Sequence, residues 1–462
     1  MTRPAAVLCL LSAVGIAVGS VVWGTHWKSR VLRAAEATDG PSEAVSFLEE
    51  EVDVLRDQND RLLARVFELE TGGGAEAVER FFRPEELETE VEAIRGLKFL
   101  KEPEYHVVPQ ETIDLAVQVA ISSSYDDDAF EAMALSFGVL GLTEPMINLQ
   151  RAWVAQRSGS RVYYDPHSQT ILVRKEVDPA NPFDRPEVAR ELALALIDQH
   201  GANLAENLKV SGNLDAGLAR RSFFIGQASV VADVVSESTL GDQSQTDMPI
   251  LDDGNPLQLL AAVPIPPFVR QLLTFPEIDG VPYCLELRDA GGGFSVFDRL
   301  LAEGALPEST REVMEGEAPE KRELFEDVEP QFEGGAPIFS NTVGMFGIRA
   351  LLETFIGQSA EDEPRAASGW AGDRFHVFAA GNQDLHAVWL SEWDDEAAAD
   401  RFVAMMREAS EVRIGMTPED SMLREDAFRI QKILRPSPTR VVFIDAQTKE
   451  AVVEIEKQVA AE

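Results

Sequence analysis

The first seventy residues carry two apolar patterns of different period. Pro4 to Trp23 is a run without a charge, preceded by Arg3 and followed by Lys28, Arg30 and Arg33, with Trp23 and Trp27 where interfacial aromatics belong. At helical rise such a run is long enough to cross a bilayer. It predicts a single-pass transmembrane signal anchor within residues 1–30, with membrane contact through residues 4–23. Ala17-Val18-Gly19 also resembles a small-residue cleavage site, so a cleaved signal peptide stays open, although the apolar run continues through Val21, Val22 and Trp23. Basic residues flank both ends and do not fix the orientation. The globular part is expected on the periplasmic or extracytoplasmic side.

Residues 31–71 hold a juxtamembrane segment and then a heptad. After the helix-breaking Asp39-Gly40-Pro41, Val45, Leu48, Val52, Leu55, Asn59, Leu62, Val66 and Leu69 fall on a and d positions. Valine at a with leucine at d favours two parallel strands, and one asparagine at a, here Asn59, fixes register. The g-to-e′ pairs of such a dimer, Glu51 with Arg56 and Arg65 with Glu70, are of opposite sign. The pattern predicts a parallel coiled-coil dimer, with an amphipathic helix packed on its own domain as the alternative. Thr71-Gly72-Gly73-Gly74 ends it.

Beyond that joint the period is mostly helical. Helices are expected over Pro84–Arg95, Gln110–Ile121, Ala129–Leu140, Thr143–Ala155, Leu214–Ser236, Phe268–Phe275, Pro282–Leu287, Ser295–Leu301 and Val343–Phe355. A strand is expected near Tyr105–Val108. Arg161–Tyr164 and Thr170–Val173 flank the turn Asp165-Pro166-His167-Ser168 as a hairpin. A central helix should start near Arg185-Pro186-Glu187, with Asp184 as its cap, and end by Gly201; it is apolar nearly all round and so buried. Residues 303–337 are acidic and rich in Pro and Gly, and read as a long surface connection. From residue 339 the pattern changes: strands at Arg374–Ala379, Leu385–Glu392, Ala427–Leu434 and Thr439–Ile444 alternate with helices at Asp395–Glu408 and Ala451–Ala460. That is a small α+β unit, one antiparallel sheet with helices on one face.

Composition narrows the function. Asp plus Glu number 80 against 41 Lys plus Arg, a net charge of -39. Nucleic acid is therefore not an expected partner. The two cysteines, Cys9 and Cys284, lie far apart and give no disulfide framework. No Gly-rich phosphate loop stands at a strand-to-helix junction.

The central segment Arg190-Glu191-Leu192-Ala193-Leu194-Ala195-Leu196-Ile197-Asp198-Gln199-His200 carries the chemistry. With Val162-Tyr163-Tyr164-Asp165-Pro166 before it and Phe223-Phe224-Ile225-Gly226-Gln227-Ala228 after it, the chain resembles an uncharacterised family of bacterial zincin-like metallopeptidases. Leu272-Leu273-Thr274-Phe275-Pro276 with Asp279-Gly280, Gly291-Gly292-Gly293-Phe294 with Val296-Phe297-Asp298, Ser368 to Arg374 and Trp389 to Trp393 continue the match across roughly residues 80–460. In that family the helix reads H-E-x-x-H: two imidazoles at i and i+4 reach one Zn²⁺, and the glutamate acts on its water. Here the two imidazole positions are Arg190 and Leu194, and the third ligand, a glutamate in the family, is Ile225. Of the motif only Glu191, the general-base position, remains.

Other candidates read as structural. The histidines 26, 106, 167, 200, 376 and 386 include no i, i+3 or i, i+4 pair. His200 at the helix end suits the helix dipole. Asp126-Asp127-Asp128 lacks calcium-loop spacing and reads as a helix cap, and the serines, Ser309 among them, have no histidine in a recognisable frame. The residue pattern and the resemblance together give an expected α+β protein: from the pattern a transmembrane helix (1–30), a juxtamembrane segment with a coiled coil (31–71) and a small α+β domain (339–462), and from the resemblance a mainly helical zincin-like domain (72–338). It is expected to be a membrane-anchored, dimeric pseudo-metallopeptidase without cofactor or metal, binding an unknown protein or peptide. The alternative is a hydrolase with a relocated metal site and Glu191 as base, and a third reading is a structural spacer.

Overall fold

The computed structural model describes residues 84–123, 129–143, 147–157, 159–209, 213–240, 265–319, 337–357, 367–380 and 384–459. The expected anchor at residues 4–23 and the heptads at 45–69 lie outside the described residues. The fold is mixed helix and sheet, α+β.

The helical part opens with α1 (Glu85–Arg95), β1 (Glu104–Val108), α2 (Gln110–Ser123), α3 (Ala129–Val139) and α4 (Leu149–Arg157), followed by β2 (Val162–Asp165) and β3 (Thr170–Arg174). Then come the central helix α5 (Arg185–Ile197), a short α6 (Leu204–Asn207) and the 27-residue α7 (Leu214–Leu240). It closes with α8 (Pro267–Ile278), α9 (Gly280–Gly291), α10 (Ser295–Glu303) and α11 (Thr310–Glu315). Strand order is β1-β3-β2, with β1 parallel and β2 antiparallel to β3. The central helix buries Val188, Ala189, Leu192, Ala193, Leu196 and Ile197 together. At Asp198–Ala202 it unwinds into a wider turn and is stopped by Gly201 at φ +96.

The helix α7 crosses α9 at backbone contact. A methyl group on Gly226 would lie 2.4 Å from the Gly280 carbonyl oxygen, and one on Gly280 would lie 2.8 Å from that of Ser222. The two glycines let the helices touch there, and the neighbouring stripe of α7, Arg221 and Ile225, about 100° round the helix, lines a cleft with the central helix α5.

For the described residues the expectation of a membrane helix is corrected, while residues 4–23, where the anchor is expected, lie outside them. Among the described residues no helix is long and apolar enough to cross a bilayer. The longest, α7, carries Asp215, Arg220, Arg221, Asp233 and Glu237 along its length, charges that hydrocarbon would not admit.

The C-terminal part comprises β4 (Phe339–Asn341), α12 (Gly344–Ile356), β5 (Trp370–Ala380), β6 (Asp384–Trp393), α13 (Glu396–Ile414), α14 (Pro418–Leu423), β7 (Ile430–Leu434), β8 (Arg440–Ala446) and α15 (Lys449–Val459). Its sheet is antiparallel in the order β4-β5-β6-β8-β7. Both faces are covered, not one. Ala387, Trp389, Val441 and Phe443 enter the same core as the helical part, and Phe402 of α13 packs on Trp389 and Trp393 at 5.4 and 4.7 Å. Val388, Leu390, Val442 and Ile444 meet Val452 and Ile455 of α15 on the other side. Burial on both faces explains why β6 and β8 read as near-continuous apolar runs.

Candidate functional site

Strand β2 lies along the central helix, and one face of that helix is acidic. Asp184, Glu187, Glu191 and Asp198 are spaced three, four and seven residues apart, which puts them on one stripe. Each is used to hold β2 or the turn beside it. Arg161 pairs with Asp184 and Glu187, both at 2.7 Å, and its backbone N–H donates to Glu187 at 2.9 Å. The N–H of Val162 donates to the same Glu187 oxygen at 3.3 Å, and that of Tyr164 to Oε2 of Glu191 at 2.8 Å. Two residues of strand rise about 6.8 Å and four residues of helix about 6 Å, so carboxylates at i and i+4 can meet N–H groups at j and j+2. The Tyr164 hydroxyl donates to Asp198 at 2.7 Å, and the other Asp198 oxygen accepts the Leu204 N–H at 2.7 Å.

Glu191 is thus a bound carboxylate. Its Oε1 accepts from Nε of Arg190 at 3.0 Å and Nη2 at 2.8 Å, while Oε2 accepts from Tyr164. Burial pushes the Glu191 carboxyl above its ordinary range, opposed by the Arg190 guanidinium and the Tyr164 N–H. Arg190 is held as a cation, chiefly by Glu191, and its Nη1 reaches Glu277 of α8 at 3.1 Å.

Arg190, Glu191, Leu194 and Ile225 all line one cleft of ≈ 110 Å³, bounded also by Tyr163, Tyr164 and His167 of the β2 turn, by Leu204 and Leu208, and by Arg221. The structure therefore brings the four motif positions together. They do not fit a zinc ion: Arg190 is a permanent cation, and Leu194 and Ile225 offer no lone pair. Among the described residues no group of three or more His, Cys, Asp or Glu side chains is placed to hold a metal. His200 lies outside this cleft, its Nε2 2.8 Å from the Lys98 carbonyl oxygen, and Gln199 beside it accepts from the N–H groups of Leu100 and Lys101. Asp126 to Asp128 and the dimer positions Val45, Leu48, Val52, Leu55, Asn59, Leu62, Val66 and Leu69 lie outside the described residues.

Sequence reasoning missed Arg221, Glu277 and the acidic stripe. The stripe was legible as helical spacing, and Arg221 stands four residues before Ile225, on the same helical face. Glu277 had no local signal.

The profile of a family described as Domain of unknown function (DUF8575) matches residues 332–456, the C-terminal sheet and its helices. No curated protein and no solved structure matches the chain.

Proposed function

We propose that the helical part is a degenerate zincin-like hydrolase whose cleft binds instead of cleaving, so that the chain acts as a binding or scaffolding module. The observation that carries the proposal is the state of Glu191. A general base needs an oxygen free to take a proton from water within hydrogen-bond reach. Both Glu191 oxygens already accept hydrogen bonds, Oε1 from two Arg190 N–H groups and Oε2 from the β2 backbone, which fills three of about four acceptor sites and ties the carboxylate to a fixed cation. Arg190, at the first imidazole position, supplies the charge a metal would have supplied and neutralises the carboxylate at the same time. The alternative, a relocated metal with Glu191 as base, finds no donor cluster among the described residues.

Elemental mass spectrometry after dialysis against chelator should find no stoichiometric zinc in the unmodified chain. Arg190→His, Leu194→His and Ile225→Glu together should create a measurable zinc site, and no single reversal should. Tightly held zinc in the unmodified protein would sink the proposal. Residues 42–70 are proposed to pair two copies as a parallel coiled coil on the strength of the heptads and Asn59. Light scattering of the chain from residue 38 onward should give a dimer, and a monomer would refute the pairing.

A further inference from the structure

We propose that the cleft holds a small monocarboxylate with an apolar body, its carboxylate on the Arg221 guanidinium and its body against Leu194, Leu204, Leu208 and Ile225. This rests on the reading of the cleft as a binding site and names what it recognises. Two arginines line the cleft. Arg190 is already held between Glu191 and Glu277. Arg221 is half-buried, its Nε is shielded from solvent, and among the described residues nothing accepts from it. A partly dehydrated cation without a counter-charge is costly, and in a chain with about two acids per base it is an odd omission. A guanidinium fork matches the two oxygens of a carboxylate.

Three features select the ligand class. The walls beside Arg221 are aliphatic, with Leu194 and Ile225 where the family would place metal ligands, so the body is apolar and the charge pair is shielded from water. Arg190 in the wall is already matched by Glu191, which also lines the cleft, and by Glu277, which does not, so a monoanion balances Arg221 whereas a dianion would leave the site net negative. The volume, ≈ 110 Å³, is of the order of the engineered ~150 Å³ cavity that accepts one benzene, which limits the buried part to a handful of heavy atoms.

The test is calorimetric titration of the full chain with 4-methylpentanoate, its neutral isostere 4-methylpentanamide, and inorganic phosphate. The acid should bind at least tenfold more tightly than the amide, and phosphate should not compete. Arg221→Gln should bring the acid down to the level of the amide, the acid losing at least tenfold and the amide much less, while the ligand-free variant melts at or above the temperature of the parent. Arg221→Lys, which keeps the charge without the fork, should lose part of the preference, and it serves if the glutamine variant does not fold. Equal binding of acid and amide, or an acid affinity indifferent to Arg221, overturns the carboxylate while leaving the cleft a binding site. Competition by phosphate overturns the apolar body. Binding of neither organic compound overturns the inference, and zinc in the unmodified chain would overturn the binding-module reading beneath it.

Discussion

At the scale of single residues, Arg190, proposed to stand where a zinc helix has its first imidazole, implies different work for its neighbour. A general base is held in readiness and adds little to stability, so Glu→Gln in a working site costs little in folding. Here Glu191 carries a guanidinium and a backbone N–H in a buried position. Removing one partner of a fully buried ion pair costs about 3–5 kcal/mol. Because Arg190 keeps some solvent contact and also touches Glu277, Glu191→Gln is expected to destabilise the chain by about 2–3 kcal/mol. Urea denaturation would measure it as a lower midpoint at unchanged slope. An unchanged midpoint would mean that Glu191 is held in reserve for chemistry. The pairing of Arg190 was legible from sequence, since a dehydrated guanidinium needs a carboxylate. Which carboxylates was not, because Glu277 comes from a helix 87 residues away.

At the scale of elements, local pattern gave most helices and the β2–β3 hairpin, and failed where the deciding contact was distant or the helix short. The parallel pairing of β1 with β3 joins residues 66 apart, and nothing in either strand names the other. The acidic, Pro- and Gly-rich stretch 303–337 holds α11, whose capping box is formed by Ser309 and Glu312, a spacing that the sequence carries and that assigns the serine to a cap. Likewise α14 starts at Thr417-Pro418, a cap followed by proline in the first turn. The helix α9 starts before the expected Pro282 because that proline sits in its first turn, where a missing N–H costs nothing, and it runs past Leu287 to a left-handed cap at Gly292. In the C-terminal sheet the length of the apolar runs in β6 and β8 signalled burial on both faces. The expectation of helices on one face weighed the order of elements above that signal.

At the scale of the whole compact unit, the helical part and the sheet are joined by buried polar contacts as well as by their shared core. Arg311 of α11 donates to the Trp370 carbonyl at 2.7 Å and pairs with Asp394 at 2.8 Å. Deeper in, Asp215 at the start of α7 accepts from the N–H of Thr310 at 3.1 Å and from its hydroxyl. Asp373 of β5 accepts from the N–H groups of Val343 at 2.8 Å and Gly344 at 3.1 Å, and from the Trp370 indole at 3.1 Å. Gly344, at φ +74, sits between the two acids: a methyl group there would lie 1.9 Å from Asp215 Oδ1. Burial pushes Asp215 up to about 6, with Glu312 adding to the rise. Burial and then the charge of Asp215 push Asp373 up to about 7.

Both values exceed the 3.8 of an ordinary aspartate, so the folded chain holds these protons more tightly than the unfolded one. Their contribution to stability is fully present below about pH 4 and is lost as the pH rises through about 6 to 7, the two acids titrating as a coupled pair. Asp215→Asn removes one charge and relieves the other. Its melting temperature should therefore fall less than that of the parent between pH 4 and pH 8, and should exceed the parent's above pH 7, with the gap closing toward pH 4. The whole chain also grows more negative over that range, so Glu303→Gln, an exposed substitution of the same charge, is the control and should shift the curve without changing its slope. If Asp215→Asn and Glu303→Gln gave parallel curves, general charge repulsion, and not the buried pair at the joint, would govern the pH dependence.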